Sequence, residues 1–488
     1  MRARTRLVIS SARGHPHDLI MEDNFLKKVL KGGAALGTAS FLSRSFGIAG
    51  TLLTLHVLSV YEYGLYKLAA AAFGLLLTFR LSGIDALVTA DAARFRGEEN
   101  HSRLRRLFLE YAAYQVGING ALFLFSFFGA SLLAAHFGAA IGGYVRILSL
   151  TFLVIPLERI LSLLFNIHLQ FEKMALFMTV EEGIKLAAVA LLAWWLGWGL
   201  MGVFWARVLG SLGRFLFFAP SGVPLIKGFL SGGVRESANG FRPKFSQWEM
   251  VQMLRTHGKW GVASDYAGSF VDQARFWLIR FFTSTEAVGL YALADSMFAQ
   301  VFSLLPLYEL LFPIMPREVN NRRRLREIVL FALKYGTIAY GAACAVFFFA
   351  VPQFLAILFP RYLGAVPLFR IMLLAALTSA AANVTAAFFF AHRDQKTSFY
   401  LTLEQAALIF TLEPVLTWRW GIVGAAWSFV AVEFLFIGTR LITLFTRYPD
   451  MAPAPSELFS VREEERRVFS RMSNSIRKKI ASRFLRGG

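Results

Sequence analysis

Trp198-Gly199-Leu200-Met201-Gly202-Val203-Phe204-Trp205 recurs as Trp420-Gly421-Ile422-Val423-Gly424-Ala425-Ala426-Trp427, one Trp-Gly-x-x-Gly-x-x-Trp frame written twice in a 488-residue chain. Each copy opens an apolar run. Glycine at a tight turn permits the backbone reversal, and the Gly-x-x-Gly spacing lets two helices approach closely. Other matches keep the order. Gly64-Leu65-Tyr66-Lys67-Leu68-Ala69 answers Gly289-Leu290-Tyr291-Ala292-Leu293-Ala294, and Thr179-Val180-Glu181 answers Thr402-Leu403-Glu404. A period of about 224 residues means duplicated halves rather than a solenoid.

The solvent for most of this surface is lipid. Hydrophobic residues make up 56% of the chain, charged residues only 17%, and the mean hydropathy is +0.53, beyond what a soluble domain carries. A spanning helix needs about 20 mainly apolar residues. Twelve stretches qualify: 33–58, 65–91, 107–136, 144–167, 176–197, 200–219, 259–282, 288–313, 329–350, 364–391, 399–417 and 422–446. The expected fold is all-α and integral to a membrane, with six-helix bundles at 32–219 and 259–447. A tail at 1–31, a Pro- and Gly-containing linker at 220–258 and a basic tail at 448–488 complete the chain. Six is even, so both halves enter from one side and repeat in parallel about an axis along the membrane normal.

Charge orients the helices. With a cytoplasmic N-terminus, the inside segments are the tails, 93–106, 168–175, 220–258, 316–328 and 392–398. They hold about 35 Lys and Arg, against about two, Arg361 and Arg419, outside. Both termini are therefore expected in the cytoplasm, and the formal charge of +20 follows topology rather than nucleic acid. The outside connections are too short for an extracytoplasmic domain of the kind membrane glycosyltransferases use, which argues against an enzyme. Residues 1–20 lack the apolar run of a signal peptide, and Met21 is a plausible alternative start. Val461, Val468, Met472, Ile476, Ile480 and Phe484 fall at helical spacing among basic residues, as in a helix lying on an anionic membrane face.

Charge deep in an apolar helix is costly and marks function by default. The candidates for binding an anion are Arg44, Arg80, Arg159, Arg207 and Arg275. The deep acids are Asp85, Glu158, Asp272, Asp295 and Glu433, of which Asp85, Asp272 and Glu433 are candidates for ion coupling. Guanidinium suits phosphate through paired donors and a persistent charge, so a diphosphate is the sensible anion. The competing reading is mutual neutralisation: Asp272 with Arg275, Glu181 and Glu182 with Lys185, and snorkelling of Arg214, Arg280 and Arg440. No P-loop is present, no His, Cys or carboxylate spacing suggests a metal, no cofactor is implied, and the single Cys344 reads as a packing residue.

Phe41-Leu42-Ser43-Arg44, Tyr63-Gly64-Leu65-Tyr66, Ser82-Gly83-Ile84-Asp85-Ala86-Leu87 and Val288-Gly289-Leu290-Tyr291 carry a resemblance over about residues 24–447. The chain resembles the polysaccharide-export and O-antigen (Wzx-like) flippases of the multidrug/oligosaccharidyl-lipid/polysaccharide (MOP) superfamily. That resemblance implies a V-shaped, alternating-access transporter in a bacterial inner membrane, moving undecaprenyl-diphosphate-linked oligosaccharide outward. It implies a role in O-antigen, lipopolysaccharide or exopolysaccharide assembly, with membrane lipids, a polysaccharide polymerase and other glycan assembly proteins as partners. Lipid II flippases, multidrug or cation antiporters and a non-transporting scaffold are the alternatives. The basic tail after Arg447 departs from the first, whose relatives add a helix pair there. Arg44 in a proline-free first helix departs from the second, and Arg44 with the repeat argues against the third.

Overall fold

A long apolar segment in lipid must satisfy its backbone internally, and a helix is the way a single segment does so. The computed structural model describes residues 38–80, 83–98, 100–137, 139–168, 170–231, 259–303, 305, 307–454 and 457; among these, every regular element is helical. The expectations for the N-terminal tail, Met21 and the amphipathic C-terminal segment lie outside the described residues.

Helix α1 covers 38–57. Helix α2 is broken into α2a, Val60–Thr78, and α2b, Gly83–Gly97. Then come α3, His101–Phe137, and α4, Ala139–Ser149 and Thr151–Ile167. Helix α5, Phe171–Ala188, ends in a π-helical turn, Val189–Trp195, and α6 is Gly199–Ser231. Helix α7 is Lys259–Phe282, and α8 is again broken, into α8a, Thr285–Ser303, and α8b, Leu307–Glu318. Helix α9 is Arg322–Leu358. Helix α10 runs from Ala365–Met372 through a 3-10 stretch, Leu373–Thr378, to Ser379–Ala391. The helical run Gln395–Arg447 is divided at Gly421, where φ is 59°, into α11 (395–420) and α12 (422–447).

Six helices are long and apolar enough to cross a membrane outright, or up to eight with each bent pair counted as one span. Gly421 makes two spans of one. The remaining rods are α1, whose start lies outside the described residues, and α5 and α7, whose charges are spread along the helix. Helix α5 holds Glu172, Lys173, Glu181, Glu182 and Lys185; α7 holds Lys259, Asp265, Asp272, Arg275 and Arg280.

The helices differ from the sequence reading at their breaks and ends. Residues 65–91 and 288–313 were expected as single spans but are bent by 48° and 41°. The linker expected from Pro220 begins later, because α6 continues through Pro220 and Pro224 to Ser231. A proline removes one backbone donor, and a helix packed on its neighbours tolerates that loss; here Phe218 is buried against Phe165 and Phe177.

The duplication is legible in backbone detail. His168 and His392 both cap the ends of α4 and α10, each ring Nδ1 lying 2.8 and 3.0 Å from the carbonyl oxygen four residues back. Gly199 and Gly421 both have positive φ, 53° and 59°. A methyl on Gly202 would come within 2.6 Å of the Ala193 nitrogen, and one on Gly424 would overlap the Leu416 carbonyl. At each broken helix, a tyrosine from the following helix donates to a carbonyl at the break. Tyr114 reaches the Arg80 oxygen at 2.5 Å, and Tyr340 reaches the Leu305 oxygen at 2.9 Å. A break frees carbonyls that lipid cannot satisfy, and the phenol supplies the donor.

By packing, the chain divides into two compact units, residues 1–277 and 278–488, so the division falls within α7 rather than in the linker. The start of α7 belongs to the first unit because Val262 joins the core formed by Ile84, Val88, Phe95, Leu104 and Leu164. Tyr266 packs edge-on to Phe79 at 5.7 Å. The second unit has its own core of α8b, α9, α10 and α12 residues, including Met315, Val329, Phe388 and Leu444.

Candidate functional site

The polar stripe of α3 is the starting point. Tyr111, Tyr114, Gln115 and Asn119 fall three to four residues apart in the middle of α3, so they stack along one side of it. Opposite them, α2b begins at Gly83 and presents Asp85 in its first turn.

Asp85 gathers four donors. Its Oδ1 accepts from the Tyr111 hydroxyl at 2.9 Å and from Gln115 Nε2 at 2.8 Å. Its Oδ2 accepts from Arg80 Nη2 at 3.3 Å, and Arg159 Nη1 from α4 lies 3.5 Å away. The two arginines differ. The Arg80 side chain is 6% exposed, while that of Arg159 is 45% exposed. Arg80 keeps a buried Nε without a hydrogen-bond partner among the described residues. At 1.5 Å per residue, Asp85 is roughly 18 Å from the end of α2b and Arg159 roughly 12 Å from the end of α4.

Glu158, next to Arg159 on α4, faces the other way. With Glu181 of α5 it brackets Arg214 of α6, whose Nε donates to Glu158 Oε1 at 2.9 Å and whose terminal nitrogens pair with Glu158 Oε2 and Glu181 Oε2. The guanidinium also lies over the Phe177 ring. This corrects the snorkelling expectation for Arg214: an acid on each side holds it inside the bundle. It also corrects the expectation for Glu181, which pairs with Arg214 and leaves Lys185 to Glu182, at 2.6 Å. Arg280 donates to the Thr283 carbonyl, and Arg440 lies over the Phe436 ring.

Of the five candidate arginines, the structure brings Arg80 and Arg159 together on Asp85. Arg207 of α6 lies over the Phe73 ring of α2a, 5.6 Å from its centroid. Arg44 shares the exposed face of α1 with Phe41 and Ile48. Among the described residues, neither Arg44 nor Arg207 forms an ion pair. Arg275 is buried, whereas Asp272 on the same helix is exposed. Glu433 is half-buried on α12 of the second unit. Sequence reading overlooked Tyr111, Gln115 and Glu413, the last fully buried on α11. The stripe spacing of α3 was the signal for the first two, and an acid in the apolar stretch 406–417 for the third.

The second unit serves as a comparison, because its residues can be matched through the repeat. The offset that carries His168 to His392 carries Arg159 to Asn383, which donates to the Tyr340 hydroxyl at 3.1 Å. The offset that carries Gly199 to Gly421 carries Arg207 to Phe429 and Arg214 to Phe436. Phe73, the ring under Arg207, corresponds to Phe298, which packs against Phe429 at 5.1 Å. One architecture is therefore lined with charge in the first unit and with neutral or aromatic side chains at the matching places in the second.

Two duplicated units built from apolar helices describe a multi-pass membrane protein, and the chain shares its fold with solved transporters. The chain is similar to an inward-facing multidrug resistance MATE transporter of the MOP superfamily, with a TM-score of 0.70 and 13% identity, over 84% of this chain and 95% of the other. It is similar to the lipid II flippase MurJ in an inward closed conformation, with a TM-score of 0.66 and 15% identity, over 85% and 88%. A MOP superfamily transporter from Pyrococcus furiosus, described as having a binding pocket of reversed polarity, gives 0.60 and 14%, over 88% and 97%. No curated protein matches by sequence. The profile of the family described as polysaccharide biosynthesis protein matches residues 29–319, more than half of the chain, and the chain belongs to that family.

Proposed function

We propose that this protein flips an undecaprenyl-diphosphate-linked oligosaccharide from the inner to the outer leaflet of a bacterial cytoplasmic membrane by alternating access. The observation that carries the reading is the asymmetry of the repeat: arginines at 159 and 207 where the second unit has Asn383 and Phe429. Helix packing does not need those charges, since the second unit is built without them. A carrier of an anionic headgroup does.

In this reading Arg44 and Arg207 receive the diphosphate, because each has a guanidinium not committed to an acid among the described residues, and Arg159 joins them. Arg80 and Arg275, both buried, support from behind. Asp85, Asp272 and Glu433 are the candidates for ion coupling. Both termini are cytoplasmic, and a polysaccharide polymerase and other assembly proteins receive the product. The basic inside loops support this orientation.

Deletion of the gene followed by lipid analysis tests the reading. The expected outcome is accumulation of an inner-leaflet lipid-linked oligosaccharide, reversed by the wild-type chain and not by an Arg44→Ala variant inserted at normal levels. Altered drug sensitivity alone would point to an extruder, loss of lipid II turnover to a lipid II flippase, and failure of complex assembly with normal flipping to a scaffold.

A further inference from the structure

The tie between Asp85 and Arg159 has the form of a contact made to be exchanged. A carboxylate matched to a guanidinium normally sits at about 2.7–2.9 Å; here the separation is 3.5 Å. Among the described residues, Arg159 gives Asp85 one terminal nitrogen, and its side chain is 45% exposed. A guanidinium has five N–H donors in a fixed fork, so most of its donor capacity remains for another anion. Asp85 does not depend on this partner. Without Arg159 it keeps Arg80, Tyr111 and Gln115, the last two on the oxygen that Arg159 does not touch.

A purely structural role for the pair predicts that the duplicated unit needs something like it. The second unit places Asn383 at the matching position, bonded to a tyrosine hydroxyl, and builds the same helical arrangement with no charge there. The acid corresponding to Asp85, by its place as third residue of the second half of the broken helix, is Glu309, which is exposed. The charged contact is thus particular to the unit that carries Arg44 and Arg207.

We propose that Asp85 is a built-in stand-in for the ligand's phosphate: it holds Arg159 while the carrier is empty and yields it to a lipid diphosphate on entry. The proposal rests on the lipid-diphosphate reading above. Arg159 is then a binding residue, and Asp85 a positioning residue that acts through it. The exchange swaps one anion for another on the same cation, so Arg159 is not left without a counter-charge. It also sets a threshold. A ligand whose headgroup competes poorly with a carboxylate for guanidinium leaves the tie closed. Filling Arg159 removes its polar tie to the first turn of α2b, next to the break that Tyr114 bridges, while the apolar contacts of Ile84 and Val88 with Leu164 stay in place.

The test is a double-mutant cycle on the full chain in lipid nanodiscs, with undecaprenyl diphosphate as the probe and native mass spectrometry as the readout. Arg159→Asn installs the residue found in the second unit and is expected to weaken binding about tenfold or more, the loss of one charge-assisted partner. Asp85→Asn removes the competitor and is expected to tighten binding about threefold or more. The double variant is expected to bind like Arg159→Asn alone, because without Arg159 the acid has nothing to withhold. Equal effects of Asp85→Asn with and without Arg159 overturn the exchange, as does weaker binding by a folded Asp85→Asn protein. Should Asp85→Asn not fold, Asp85→Glu replaces it: the longer acid reaches closer to Arg159 and must weaken binding, and unchanged affinity overturns the exchange. A wild-type chain that fails to bind the probe removes the lipid-diphosphate reading with it. Binding indifferent to both residues but lost in Arg44→Gln or Arg207→Gln removes only the exchange.

Discussion

Arg214 shows what a single buried charge contributes here. It sits between Glu158 and Glu181 with both acids largely shielded from solvent. Removing one member of a buried ion group leaves the others uncompensated, at a cost of about 3–5 kcal/mol. Arg214→Ala is therefore expected to lower the unfolding midpoint in detergent sharply, whereas Glu181→Gln, which leaves Arg214 with Glu158, costs much less; equal midpoints would contradict this account. Sequence alone marks each of these residues as an anomaly, charge within an apolar run. It does not reveal their partners: Arg214 meets Glu158 across 56 residues and Glu181 across 33, and Asp85 meets Tyr111 across 26. Helical spacing therefore paired Glu181 with its neighbours, while packing paired it with another helix.

Among the elements, what was readable depended on whether the cause was local. The Trp-Gly-x-x-Gly-x-x-Trp frames were visible because positive φ and close approach both require glycine at fixed positions, and Gly421 and Gly424 meet those two demands separately. Gly421→Ala should cost about 1–3 kcal/mol, because φ 59° with ψ −143° is a backbone conformation essentially confined to glycine. Gly424→Ala should cost more, because its methyl meets the Leu416 carbonyl rather than a movable side chain. Thermal unfolding of the two variants checks the order, and a Gly424→Ala protein as stable as wild type would refute the close approach. The breaks in α2 and α8 were not readable. Pro306 lies in the sequence at the second, but nothing in Phe79-Arg80-Leu81-Ser82 announces the first. Its freed carbonyl is met by Tyr114, 34 residues away on another helix. The linker was misjudged for a related reason, since Pro220 and Pro224 read as a stop until the packing around α6 is known.

At the scale of the whole molecule, duplication supplies two similar frameworks, and divergence has placed arginines at 159 and 207 in one of them where the other has Asn383 and Phe429. That distribution has an electrical side. On the proposed reading, a bound diphosphate cancels most of the positive charge of Arg44 and Arg207, and the empty carrier lacks that cancellation. A bacterial membrane is negative inside, and each elementary charge that crosses the full potential carries about 2.3 kcal/mol per 100 mV. The loaded stroke outward is then close to electroneutral, while the empty stroke moves positive charge down the field. Turnover in proteoliposomes should accordingly rise with an inside-negative potential set by potassium and valinomycin, and Arg207→Phe should flatten that dependence. Voltage-independent turnover would contradict this. On the proposed reading, Arg44 and Arg207, without an ion pair among the described residues, would act as gating charges as well as ligands, and the cell's own voltage would be the spring that resets the carrier.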